Sequence, residues 1–95
     1  HSQEMLRDMY RMIRMAVDLL IAVLEHKDEE SAKEILELEP EIDRLERAFL
    51  TRKSERLGSE QPEAVRVARL EVSAVDKMQR MYGLCKQIAR AHCSS

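Results

Sequence analysis

Residues 31–49 read SAKEILELEPEIDRLERAF, and apolar side chains recur there at alternating steps of three and four. This spacing places them on one narrow stripe of an α-helix, like the seam of a coiled coil, which can contact one or two neighbouring helices. Pro40 interrupts the stretch. Its ring removes a backbone hydrogen bond to Leu36, so we expect a kink, or alternatively a break into two shorter helices. The seam residues are Ile35, Leu38, Ile42, Leu45 and Phe49.

Periodic segments on both sides of this stretch complete a chain of three helices, over about residues 3–27, 29–57 and 62–92. Acidic residues 28–30 can start the second helix, or alternatively Ser31 with Glu34 as a capping box. Gly58 is expected to end that helix with a positive φ, and residues 59–62 to form the turn. Because short turns place neighbouring helices antiparallel, the predicted fold is an all-α, antiparallel three-helix bundle, with residues 1–95 as a single domain.

Composition limits the possible functions. The three aromatic residues and the absence of Trp argue against a β-sandwich or barrel. With 16 basic and 18 acidic residues the net charge is −2, which is typical of a water-soluble domain and gives no reason to expect a nucleic-acid partner. The longest apolar run, residues 19–24, falls well short of the ~20 residues that span a bilayer.

The two cysteines indicate a reducing compartment. Cys85 and Cys93 lie on one predicted helix, roughly 12 Å apart at 1.5 Å per residue, which is too far for a disulfide. We therefore expect reduced thiols and a cytoplasmic location, either as a separate protein or as the cytoplasmic domain of a membrane protein.

The first helix is apolar around most of its circumference. Its charged residues concentrate on one thin strip, formed by Arg7, Arg11, Arg14 and Asp18. Two neighbouring helices cannot cover the remaining surface, so a second copy of the chain is expected to bind there and form a homodimer. The residues predicted for this interface are Met5, Met9, Met12, Leu19 and Val23.

One group of three acids and one separate acid are candidates for a functional role. Glu39, Asp43 and Glu46 share one helix face, and carboxylate oxygens are the ligands that Mg²⁺, Mn²⁺ or iron prefer. The alternative is a charged flank that forms ion pairs. Glu71 falls inside the broad apolar stripe of the third helix, so it needs a basic partner or a cavity. That stripe comprises Val67, Leu70, Ala74, Met78, Met81, Tyr82, Cys85, Ile88 and Ala89.

Residues 28–47, DEESAKEILELEPEIDRLER, resemble the PhoU family, and most of all the PhoU-like domain at the cytoplasmic C-terminus of bacterial sodium/phosphate cotransporters. Residues 55–57 and 62–64 are similar to the second turn of that subgroup. The resemblance implies a three-helix bundle and an acid-x-x-x-Asp metal motif, which Glu39 and Asp43 match. The third helix of the family typically reads Leu-Glu-Arg-Ile-Gly-Asp, a motif with an acid at its second position and an Asp at its end. It aligns with residues 78–83 or with residues 75–80, and the Asp is replaced by Gly83 or Arg80 accordingly.

The resemblance thus implies a regulatory domain of phosphate uptake that contacts a transmembrane transport domain or a signalling partner. No cofactor is expected, apart from a divalent or iron ion at Glu39 and Asp43. No Ser/His/Asp arrangement, phosphate loop or CxxC pair occurs, so the chain is expected not to be an enzyme. Two alternatives stay open: a dimeric helical adaptor unrelated to phosphate, and a chorismate mutase-like helical enzyme. The enzyme could hold a dicarboxylate with Arg11, Arg14, Lys33 and Arg52.

Overall fold

The computed structural model describes residues 2–58 and 60–93. Its helices are α1 (Ser2–His26), α2 (Glu29–Glu37), α3 (Glu39–Leu57) and α4 (Pro62–Cys93). They pack lengthwise into a rod of 52 × 19 × 19 Å. Together α2 and α3 form one limb that runs antiparallel to α4, since Asp43 contacts Gln79 while Lys53 contacts Glu71. The predicted all-α bundle of three limbs is confirmed.

The middle limb, expected to be one helix with a kink at Pro40, is interrupted at a single residue, Leu38, so the alternative of a break into two shorter helices describes it. Leu38 keeps helical dihedral angles, φ −75° and ψ −16°. Its N–H, however, donates a hydrogen bond to the carbonyl oxygen of Ile35 at 3.3 Å, three residues back, which is a tighter turn than an α-helix makes. Pro40 becomes the second residue of α3. The N–H groups in the first turn of a helix have no acceptor within that helix, so a proline there removes no hydrogen bond. This explains why the limb can restart at Pro40.

The turn between α1 and α2 is fixed by Asp28. Its carboxylate accepts hydrogen bonds from Glu30 N at 3.1 Å and from Ser31 Oγ at 2.9 Å, so Asp28 is the N-cap of α2. The bond from Ser31 lowers the pKa of the Asp28 carboxyl. Lys27 ends α1 with a φ of 54°, a left-handed conformation that is unfavourable for a residue with a Cβ. The one positive φ among the described non-glycine residues therefore falls at this turn.

The second turn differs from the prediction. Gly58 directly follows α3, but its φ is not positive, so the expected left-handed cap at this glycine is wrong. Ser59, part of the predicted turn, lies outside the described residues. Helix α4 begins at Pro62, as predicted, where the fixed φ of proline suits the first helical position.

The core runs along the axis of the rod. Of the predicted seam, Ile35, Ile42, Leu45 and Phe49 are buried, while Leu38 at the break is half-buried. Helix α4 packs against this seam through Val75, Tyr82, Cys85 and Ala89. Both cysteines are free thiols, and burial raises the pKa of Cys85.

The predicted interface of the first helix needs correction. Met9 and Val23 are 1% and 0% exposed in the single chain, so they are core residues and cannot contact another copy. Met5, Met12 and Leu19 are half-buried against the same core. The apolar side chains that α1 leaves exposed are others: Tyr10, Met15, Ile21 and Leu24. Because α1 is apolar almost all round, periodicity alone could not tell its inner stripe from its outer one.

Candidate functional site

The predicted acids Glu39 and Asp43 lie on the first two turns of α3, directly after the break, and face α4. The Glu39 side chain is about one-third exposed, and Asp43 is half-buried. Glu39 is the first residue of α3, where a negative charge interacts favourably with the helix dipole. The break thus places both carboxylates at the contact between the two limbs.

Helix α4 presents a cation and an amide to these acids. Lys86 Nζ donates a hydrogen bond to Glu39 Oε2, and Gln79 Nε2 donates to Asp43 Oδ1 at 3.4 Å. The hydrogen bond from Lys86 lowers the pKa of the Glu39 carboxyl, which therefore stays ionised. Lys86 Nζ also lies 5.2 Å from the centre of the Tyr82 ring, within cation–π range. Glu39 is thus paired with a cation of its own chain, while Asp43 accepts a hydrogen bond from a neutral amide.

Tyr82 connects this cluster to the break. The side chain is fully buried, and its hydroxyl donates a hydrogen bond to the carbonyl oxygen of Ile35 at 2.6 Å. Burial, followed by the negative charges of Glu39 and Asp43, raises the pKa of Tyr82 to about 12. The hydroxyl therefore stays protonated at neutral pH and keeps donating to α2 one turn before the limb breaks.

The residues present do not fit the metal cluster that the family motif implies. One candidate ligand, Glu39, is bonded to an ammonium group, and the other faces an amide. Within residues 2–58 and 60–93, no group of three or more His, Cys, Asp or Glu side chains is placed to hold a metal ion. A methyl group added at the Cα of Gly83 would meet no atom of another helix within 4 Å, so the helix surface there is open.

The structure also distinguishes the two alignments of the third-helix motif. In the alignment over residues 78–83, Gln79 takes the position of the family's first acid, and Gln79 does contact Asp43. In the alignment over residues 75–80 that position belongs to Asp76, which is exposed and pairs with Arg80 at 3.3 Å along its own helix. The contacts favour the first alignment, with Gln79 and Gly83 where the family has acids.

Of the two predicted alternatives for Glu71, a basic partner or a cavity, the structure shows the basic partner. Lys53 Nζ lies 2.5 Å from Glu71 Oε1, and the two side chains are 1% and 13% exposed. The same Nζ lies 5.3 Å from the centre of the Phe49 ring. Sequence reasoning missed Lys53, although it follows Phe49 by four positions and so continues the seam of the middle limb. This ion pair joins α3 to α4.

The residues of the enzyme alternative do not converge. Arg11, Arg14, Lys33 and Arg52 are all exposed. Arg11 pairs with Asp8 and Lys33 with Glu30, each on its own helix. Lys33 and Arg52 lie on the same limb 19 residues apart, which at 1.5 Å per residue is roughly 28 Å. A single small dicarboxylate cannot reach both, so the described geometry does not favour a chorismate mutase-like site.

Comparison with known proteins gives one finding. Residues 6–91 match the family model of the PhoU domain, so the match takes in most of α1, all of α2 and α3, and α4 almost to its end. No curated protein and no solved structure matches the chain. In the part of the chain that the structure describes, no helix has the length and hydropathy needed to cross a membrane.

Proposed function

The chain belongs to the PhoU domain family, and from this we propose that it regulates phosphate uptake by binding other proteins. PhoU domains are helical regulatory domains linked to phosphate. The observation that carries the proposal is the match over residues 6–91, which spans nearly the whole bundle. The acid cluster supports a binding role, because Lys86 compensates the charge of Glu39 and Gln79 bonds Asp43 from within the chain.

The parent protein in this proposal is a relative of the bacterial sodium/phosphate cotransporters, with residues 1–95 as its cytoplasmic regulatory domain. The likeness of residues 28–47 to that subgroup supports this assignment. A domain in this position acts on the transport domain or on a signalling partner by direct contact. It therefore needs a surface whose chemistry complements the cytoplasmic side of a membrane protein.

The end of the rod around the α1–α2 turn has the appropriate charge. Residues 25–37 contain six acids and two lysines, a net charge of −4 with His26 neutral. We call this region the acidic end; all of its acids are exposed. Cytoplasmic loops of membrane proteins carry an excess of Lys and Arg. The acidic end therefore complements such loops, and charge complementarity of this kind speeds and orients binding. The acids are Glu25, Asp28, Glu29, Glu30, Glu34 and Glu37.

The proposal can be tested by reversing charges in the parent protein in its native host. The variant Glu29→Lys/Glu30→Lys reverses two charges at the acidic end, at the first turn of α2. Uptake of radiolabelled phosphate is then measured in phosphate-rich and phosphate-poor medium. We expect the variant to lose the difference between the two media, as should deletion of residues 1–95.

A matched control is available at the opposite end of the rod. The variant Glu60→Lys/Glu63→Lys makes the same change in net charge beside the first turn of α4, and both glutamates are exposed. It should leave regulation intact. If deletion of residues 1–95 has no effect on uptake in either medium, the regulatory proposal is wrong and an adaptor unrelated to phosphate becomes the better account. If both charge variants act equally, the acidic end is not the contact surface.

A further inference from the structure

Helix α1 has a second seam on its outer side. The residues Tyr10, Arg14, Val17, Ile21 and Leu24 follow each other at steps of 4, 3, 4 and 3, the spacing of a coiled-coil stripe. We call these five residues the outer seam. Its three largest apolar side chains, Tyr10, Ile21 and Leu24, are 56%, 47% and 60% exposed. Val17 packs partly against the core, but a helix in a single rod has no need to leave Tyr10, Ile21 and Leu24 exposed at this regular spacing.

A groove runs beside the outer seam, between α1 and α4. It has a volume of about 460 Å³, and Val17 and Ile13 from α1 line it together with Met78 and Met81 from α4. Met81 is 49% exposed, and Leu84, one turn further along α4, is 60% exposed. Methionine side chains adapt readily to an incoming apolar group. The groove can therefore accept apolar side chains from a helix that lies along the outer seam.

The charges around the outer seam indicate what that helix is. Arg7 and Arg14 lie toward its N-terminal end, while Asp18 and Glu25 lie toward its C-terminal end. All four lie within about 40° of one another around the helix at 100° per residue, along the edge of the outer seam to which Arg14 belongs. In the described part of the chain none of the four forms an ion pair. The pattern is symmetric about position 16.

We propose that the outer seam and the groove form a two-fold interface between two copies of this chain, with the two α1 helices antiparallel. In this arrangement Arg14 faces Asp18 of the second copy, and Arg7 faces Glu25 of the second copy. Each pair occurs twice, as two-fold symmetry requires. A parallel arrangement would instead place the charged flanks of the two copies on opposite sides of the interface, where these pairs could not form. The antiparallel copy is thus the occupant that matches both the apolar spacing and the charges. This interface is independent of the proposed role in phosphate uptake.

Sedimentation equilibrium of the purified chain over a range from micromolar to hundreds of micromolar tests the interface. We expect a species of twice the chain mass of 11.1 kDa. The variant Ile21→Glu should be monomeric, because it puts a charge in the seam. Met15→Glu is the matched control: Met15 is also on α1 and is 51% exposed, but lies outside the outer seam. It should associate like the wild type. Circular dichroism checks that both variants fold.

A charge swap tests the antiparallel arrangement itself. Arg14→Glu and Asp18→Arg should each weaken association roughly tenfold or more, because like charges then face each other across the interface. The double variant Arg14→Glu/Asp18→Arg should recover wild-type association, as should an equimolar mixture of the two single variants. A wild-type chain that stays at 11.1 kDa throughout, an Ile21→Glu variant that still dimerises, or a double variant weaker than both singles would each overturn the proposal.

Discussion

Removing one partner of the Lys53–Glu71 ion pair should destabilise the bundle strongly. Lys53 is 1% exposed, so Glu71→Leu leaves a fully buried ammonium group without its carboxylate. Breaking a buried pair in this way costs about 3–5 kcal/mol. Lys53→Met leaves the carboxylate of Glu71 unpaired instead. Because that side chain is 13% exposed and retains some contact with water, we expect a smaller cost of about 2–3 kcal/mol.

The double variant Lys53→Met/Glu71→Leu should behave differently from the sum of its parts. It removes both charges and fills the space between α3 and α4 with apolar groups of similar size. Such replacements are often neutral or stabilising by about 1–4 kcal/mol. We therefore expect the double variant to be at least as stable as the wild type, whereas the two single variants lose a large fraction of a total stability on the order of 5–15 kcal/mol.

Urea unfolding followed by circular dichroism measures these free energies, and thermal melts provide a second reading. In a domain of this size 1 kcal/mol corresponds to a shift in Tm of about 4–8 °C, so the single variants should melt at least roughly 10 °C below the wild type. Single variants that each cost less than about 1 kcal/mol, as in a solvent-exposed pair, would show that burial of this pair carries no large penalty. A double variant whose loss equals the sum of the two single losses would show that the two charges do not interact.

Three further predictions concern the α1–α2 turn, Tyr82 and the acid pair. Lys27→Gly should raise the free energy of unfolding by about 1 kcal/mol in urea titrations, because glycine relieves the left-handed φ of 54°. Since burial raises the pKa of Tyr82 from 10.0 to about 12, its neutral form contributes stability that is complete below pH 10.0 and is lost as the pH rises through about 12. A titration of tyrosinate absorbance should show one late-ionising tyrosine that disappears in Tyr82→Phe. Finally, adding Mg²⁺, Mn²⁺, Fe³⁺ or Zn²⁺ to the chelator-treated chain should leave its Tm unchanged, whereas a rise abolished by Glu39→Gln/Asp43→Asn would show that the acids bind metal. A ligand at 100 times its Kd adds about 2.7 kcal/mol, so such binding would be detected.

The middle limb was predictable because its apolar residues form a single narrow stripe. Ile35, Ile42 and Phe49 can face inward in only one orientation of the helix, and the structure buries all three. Pro40 also limited the possibilities to a kink or a break. Which of the two occurs depends on how α4 packs on both halves. The hydrogen bond from Tyr82 to Ile35 is one contact that the sequence of the limb could not reveal.

The outer two limbs were harder because their apolar surfaces are too broad. Helix α1 has apolar residues on nearly every side, so Met9 and Val23 were assigned to the wrong face. The wide stripe of α4 contains both Leu70, which is 63% exposed, and Tyr82, which is fully buried. A periodic pattern identifies the buried face only when the polar residues cover the rest of the helix.

The pairing of charged groups across helices lay beyond single-sequence reasoning. Glu71 stood out because a carboxylate in an apolar stripe needs a partner. Its partner Lys53 lies on a different helix. The same holds for Lys86, which neutralises Glu39 from another helix. Spacing along the chain relates residues on one helix surface, but partners on separate helices depend on the axial position and rotation of each. These pairings required the structure.

The most direct test of the regulatory role is to identify what the acidic end touches in living cells. Glu34, exposed on α2, is replaced by a photo-crosslinking amino acid in the parent protein, and the adducts formed in phosphate-rich medium are identified by mass spectrometry. Glu60, exposed at the other end of the rod, is the control position. We expect the crosslinker at position 34, and not the one at position 60, to capture a Lys- and Arg-rich cytoplasmic segment of the phosphate transport machinery. Adducts confined to proteins with no part in phosphate uptake, or identical adducts from both positions, would contradict it.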